Sequence, residues 1–131
     1  MNDIDDLYAQ AREVAAHSYA PYSNFRVGAV VVADDGRVFA GCNVENAAYG
    51  SAIFAEGNAI STAAAAGVRK LATVVIACLD AGECDPCGNC RQLMREFSVD
   101  TVVVQDGTGS LRVHQLEEIL PHSFGPESLG K

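Results

Sequence analysis

Basic side chains are scarce in this 131-residue chain, with nine Lys and Arg against seventeen Asp and Glu and a formal net charge of −8. The nine are scattered. A groove that follows a nucleic-acid backbone gains its affinity from basic patches, so no nucleic-acid partner is expected, and a neutral or weakly charged small molecule suits the chain better. No apolar run reaches membrane-spanning length, and no basic segment followed by an apolar stretch opens the chain, which gives the expectation of a cytoplasmic protein with no membrane partner. The sequence also lacks an internal repeat, a low-complexity linker and a Gly-rich phosphate loop. Its five cysteines are odd in number, and three crowd together as Cys84, Cys87 and Cys90. That is a poor disulfide framework and suits a reducing compartment. What is there is apolar: hydrophobic residues make up 49% and charged residues 20%, the balance of a globular chain. The length suits one domain over residues 1–131 with a real core.

Periodicity predicts alternating helices and strands. Residues 3–18 open with Asp3 as an N-cap and place Ile4, Leu7, Ala11, Val14 and Ala15 on one helical stripe. The segment 25–33 contains a continuous apolar run, Val27 to Val32, that reads as a strand buried on both faces. Asp34-Asp35-Gly36 turns the chain into a returning strand over 37–43. A polar loop follows, in which Asn43, Glu45, Asn46 and Tyr49 combine amide, carboxylate and phenol groups suited to a hydroxylated ligand, or to a self-capping turn. The Ala-rich segment 54–66 predicts a helix buried nearly all round and closed by Gly67, with strands following at 71–79, 101–105 and 110–113. Residues 114–120 predict a short helix ended by Pro121. Alternation of this kind gives an α/β fold with helices on both faces of a mixed sheet.

Two features carry chemistry. In Pro86-Cys87-Gly88-Asn89-Cys90-Arg91-Gln92 the proline is placed in the first turn of a helix, with the two cysteines one turn apart at its positive end. Both sulfurs could hold one soft cation, zinc first, but C-x-x-C is shared by redox sites and the pair alone leaves both readings open. Glu56 is the second feature. A first-turn carboxylate is ordinarily a favourable dipole contact, yet in a helix destined for the interior it is expensive unless paired or functional.

Four blocks, namely 21–25, 41–46, 86–92, and Leu120-Pro121 with Phe124-Gly125-Pro126, resemble in this order the small cytidine deaminases, which hydrolyse cytidine or deoxycytidine to the uridine nucleoside and ammonia. The wider signature of zinc deaminases is H-x-E, or its Cys variant, followed by P-C-x-x-C. The resemblance implies a three-layer α-β-α sandwich around a mixed five-stranded sheet, a homotetramer, a role in pyrimidine salvage, and Zn²⁺ as cofactor. It matches Cys87 and Cys90 to zinc ligands, Glu56 to the catalytic proton shuttle, and Asn43 and Glu45 to the pair that holds the ribose hydroxyls. It matches Phe25 to an aromatic packing near the base, and Phe124 to one contributed near a neighbouring subunit's site.

The chain departs from that pattern at Phe54, which occupies the usual third-ligand position and cannot coordinate zinc. Many three-cysteine members carry Arg after the glutamate, where this chain has Gly57. The two losses agree electrostatically, since two thiolates leave Zn²⁺ neutral where three leave a negative site. Three readings follow: an active deaminase with a substitute third ligand, Cys84 before His114 or His122; a member that binds nucleoside with weak or no catalysis; or a deaminase of a cytosine-nucleoside antibiotic of the blasticidin type.

Overall fold

The computed structural model describes residues 3–131. Five strands form one sheet: β1 (Val27–Ala33), β2 (Val38–Cys42), β3 (Leu71–Cys78), β4 (Thr101–Gln105) and β5 (Leu111–Gln115), in the order β2-β1-β3-β4-β5. Only the β3–β4 pair is parallel, so the sheet is mixed. Helices α1 (Ile4–Ala15), α2 (Ala55–Ala65) and α3 (Gly88–Glu96) pack on it, and a single turn, α4 (Leu116–Ile119), follows β5.

Strand alternation divides the core in two. Val30, Val75, Ala77 and Val103 meet Leu7 and Ala11 of α1 on one face. Val31, Val74, Ile76, Cys78, Val102 and Val104 meet Ala59, Ile60 and Ala63 of α2 and Cys90 and Met94 of α3 on the other. The result is the expected α-β-α sandwich. Two glycines set how closely its layers approach: a Cβ on Gly28 would lie 1.9 Å from the Ala11 carbonyl oxygen, and one on Gly41 would lie 2.5 Å from the Ala59 nitrogen.

Three local expectations are corrected. Helix α2 buries one face only, leaving Ser61, Thr62 and Ala65 exposed, because an Ala-rich stretch carries little contrast by which to read its wet side. Pro86 lies just outside α3, whose N-cap is Cys87. His114 belongs to β5, paired with Val102, since the alternation of residues 111–115 outcompetes the helix that begins at Leu116.

Candidate functional site

Register brings one end of the sheet together. Val27 at the start of β1 opposes Cys78 at the end of β3, and Gly28 opposes Cys42 at the end of β2. The loop after β2 leads into α2 and the loop after β3 leads into α3, so both helices present their N-termini here, as expected where strand ends meet helices in α/β sheets. Between them lies a cavity of about 420 Å³ whose wall includes Phe25, Asn43, Glu45, Phe54, Glu56, Cys84, Cys87 and Cys90. Eight of the eleven candidate site positions read from sequence therefore meet in one place, and neither His114 nor His122 lines it. Phe124 does not: it is 59% exposed and its carbonyl accepts a hydrogen bond from Gln92 on α3.

Glu56, in the first turn of α2, is 5% exposed. Burial pushes its carboxyl above the ordinary range, while its own backbone N–H and the Cys90 thiol pull the other way. Cys90 is buried on α3 and its thiol is pushed up, first by burial and then by the neighbouring Glu56 and Cys87. Cys87 is an exposed free thiol at the N-cap of the same helix. Acid and thiols thus face each other across the cavity floor.

The opposite wall is built by amide and carboxylate groups. Asn43 accepts from the Val27 N–H at 2.8 Å and donates to the Phe25 carbonyl at 2.8 Å, fixing the strand entry that carries Phe25. Glu45 accepts from the backbone of Tyr22 at 2.9 Å and of Ser23 at 3.1 Å, and also from the Ser23 hydroxyl. These contacts, the Ser23 hydroxyl first, hold its carboxyl below the ordinary range. An amide has two donors and an acceptor oxygen, and a carboxylate about four lone-pair sites. Both side chains therefore keep capacity for a ligand after bracing the loop.

Two features escaped the sequence reading. Cys84 lines the cavity, but its sulfur is bonded to that of Cys78, six residues earlier, instead of being a free loop thiol. That corrects its reading as a ready third ligand, because a disulfide sulfur carries no thiolate. The loop from β3 leads straight to Cys84, so its Cα lies 6.0 Å from that of Cys78. Gln105, buried at the end of β4, is the other: a polar residue closing the apolar run 102–104 was the available signal.

A catalytic zinc site uses three protein ligands and leaves a position for water. Here two free thiols are offered, the phenyl ring of Phe54 stands 47% exposed at the cavity rim, and no group of three or more His, Cys, Asp or Glu side chains among the described residues comes together to hold a metal ion. The donor set in this state does not complete such a site.

Residues 1–106 match the family model described as the cytidine and deoxycytidylate deaminase zinc-binding region. The chain is 34% identical over 129 residues to a cytidine deaminase of Sporosarcina psychrophila, covering 97% of this chain and 95% of that one. It is 37% identical over 133 residues to a cytidine deaminase of Mycobacterium tuberculosis, covering 98% and 96%. Among solved structures, the cytidine deaminase from Burkholderia pseudomallei superimposes with a TM-score of 0.86 at 41% identity, covering 95% of this chain and all of the other.

Proposed function

The chain belongs to the cytidine and deoxycytidylate deaminase family, and from that membership we propose that it hydrolyses cytidine or deoxycytidine at C4 of the base, releasing ammonia and the uridine nucleoside. The observation that carries this is the buried Glu56 at the N-terminus of α2, facing the Cys90 thiol inside a nucleoside-sized cavity. Asn43 and Glu45 hold the ribose hydroxyls with the capacity left after bracing residues 22–27, and Phe25 packs against the base. Glu56 takes one proton from the attacking water and gives it to N3, then takes the second from the new hydroxyl on C4 and gives it to the departing amine as the C4–N bond breaks. Cys87 and Cys90 are the thiols that would face a zinc ion, whose chemistry is to polarise water for attack.

We assign the activity to pyrimidine salvage in the cytoplasm, by a single-domain chain acting as a homotetramer on free nucleosides. Tyr49, Ile53, Phe54 and Phe124 are exposed apolar side chains that such an assembly would cover. Light scattering coupled to size exclusion is expected to give about four chain masses, and a monomer at working concentration would remove the tetramer. Loss of the cytidine absorption band on incubation, with uridine identified by chromatography, tests the activity itself.

One observation supports a second reading. Phe54 leaves two free thiols at the site, which favours a chain that holds nucleoside and turns it over slowly. A measured Kd for cytidine with turnover near the uncatalysed rate, in protein loaded with zinc, would select it.

A further inference from the structure

We propose that Phe54 is a base-binding residue, its ring a stacking face for the pyrimidine, and that the cavity holds a nucleoside with no metal present. That the ligand is a nucleoside comes from the deaminase reading, and the inference rests on that reading. The role of Phe54 comes from the site itself. Catalytic zinc needs three protein ligands, and the described residues assemble no group of three donors for it. A phenyl ring stands instead at the cavity rim. It has no lone pair for a metal, but it has a face for a planar base.

Phe54 lines the cavity together with Phe25, Asn43, Glu45 and Glu56, and it also lines a second hollow of about 380 Å³ with Ile53, Gly57 and Leu93. The ring is a partition between two open spaces. Gly57 keeps the second one clear: a Cβ there would meet nothing nearer than Ile53 Cγ2 at 3.8 Å and Leu93 Cδ2 at 3.9 Å. With that hollow empty, the ring has room to turn and lie flat on a ligand in the first. Phe54 is 47% exposed and Phe25 37%. Among the described residues the aromatic rings that pair are Tyr22 and Tyr49, so neither phenylalanine face is taken by another ring. A base laid on the two removes apolar surface from water, beside polar groups suited to its sugar.

Stacking does not tell cytosine from uracil, because every base presents a π-face. Phe54 therefore holds the substrate and product nucleosides alike, and what separates them is left to groups at the base edge. Uridine, which has no amine to lose, becomes a probe of binding that catalysis does not disturb.

The test uses the full-length chain, dialysed against a chelator, shown by metal analysis to be free of zinc, and titrated with uridine in a calorimeter. Saturable binding is expected, with a Kd within about twofold of that measured after zinc is added. Phe54→Ala removes the face and should raise Kd about tenfold to a hundredfold, with unchanged circular dichroism. Phe54→Tyr restores the face and should return Kd to within about twofold of wild type. Proton NMR adds a sign that a merely structural role would not move. The H5 and H6 resonances of bound uridine shift upfield in the ring current of a stacked phenyl, and that shift should shrink in Phe54→Leu, which keeps the apolar bulk. Uridine binding that appears only with zinc, no binding in either state, or a Phe54→Ala Kd within about threefold of wild type or below it overturns the proposal. If Phe54→Ala does not fold, the Phe54→Leu spectrum decides: an undiminished shift refutes stacking, and a diminished one supports it. Conversion of cytidine to uridine is measured on zinc-loaded samples of the same preparations. Metal-free binding through Phe54 without any turnover overturns the deaminase reading and leaves the stacking role standing; turnover with binding that needs zinc does the reverse.

Discussion

Burial at the start of α2 gives Glu56 two opposing influences, desolvation that favours the proton and hydrogen bonds from its own N–H and from Cys90 that favour the anion. A group balanced in this way can take a proton and give it back, which is what a shuttle between water and a ring nitrogen requires. Glu56→Gln keeps the shape and removes the exchangeable proton. It is expected to lower kcat for cytidine by about a hundredfold to ten-thousandfold, with Kd for the nucleoside little changed and the melting temperature not lowered. Steady-state assays and a thermal melt on one preparation check this, and retained kcat would take the proton role from Glu56. Phe54 calls for the opposite kind of change. As the N-cap residue of α2, at the cavity rim, it stands where a side chain can reach toward Cys87 and Cys90, and Phe54→Cys should bind zinc at about one ion per chain with the Cys78–Cys84 bond intact. Metal analysis of unreduced protein decides, and a zinc content no higher than that of unreduced wild type would mean that position 54 cannot reach the ion.

The elements around these side chains are held by close approach more than by large residues. Helix α1 lies against β1 with no room for a methyl group at Gly28, whose added Cβ would meet the Ala11 carbonyl oxygen and the Ala15 nitrogen, both backbone atoms. Gly28→Ala must therefore push α1 off the sheet, at a cost of about 1–3 kcal/mol or more. A lowered urea midpoint with an unchanged slope would show it, and an unchanged midpoint would mean that the helix shifts freely. Such contacts also explain what could be read in advance. The strands were legible because continuous runs such as Val27–Val32 and Val102–Val104 exist only where both faces are buried. The wet face of α2 was not, since alanine tolerates both sides, and α3 starts at Gly88, two residues after Pro86, because Cys87 takes the N-cap ahead of the helical geometry. Within the site, the positions of Glu56, Cys87, Cys90, Asn43 and Glu45 follow from spacing and matched blocks. The Cys78–Cys84 pairing does not, because five cysteines permit many pairings and only the fold brings these two together.

Across the whole molecule, the acidic surface is tied down by local hydrogen bonds, and this sets how stability must respond to pH. Asp80 accepts from the Arg26 backbone N–H at 2.8 Å and from its guanidinium at 2.8 and 3.1 Å, which lowers its pKa from 3.8 to about 2. Asp35 is lowered mainly by the Arg37 backbone N–H, Asp106 by the Thr108 hydroxyl and Glu45 by that of Ser23. In each case the unfolded chain binds a proton more readily than the folded one, so stability rises with pH. The contribution is complete above the ordinary carboxylate pKa and is lost as pH falls through the folded value. Glu56, raised by burial, works with the opposite sign and at higher pH. Asp35 and Asp80 are exposed and Glu45 and Asp106 half-buried at the surface, so each effect is modest and weakened by salt. The melting temperature is therefore expected to fall continuously between about pH 4 and pH 2, more steeply at low ionic strength. Asp80→Asn removes the group that stays charged to the lowest pH, and should flatten the acid end of that curve while leaving the melt above pH 5 shifted only slightly. Differential scanning calorimetry of both proteins across this range is the measurement. A wild-type melting temperature independent of pH below 4, or a variant curve of the same slope, would mean that the Arg26–Asp80 clamp at the mouth of β1 persists in the unfolded chain or contributes nothing to the folded one.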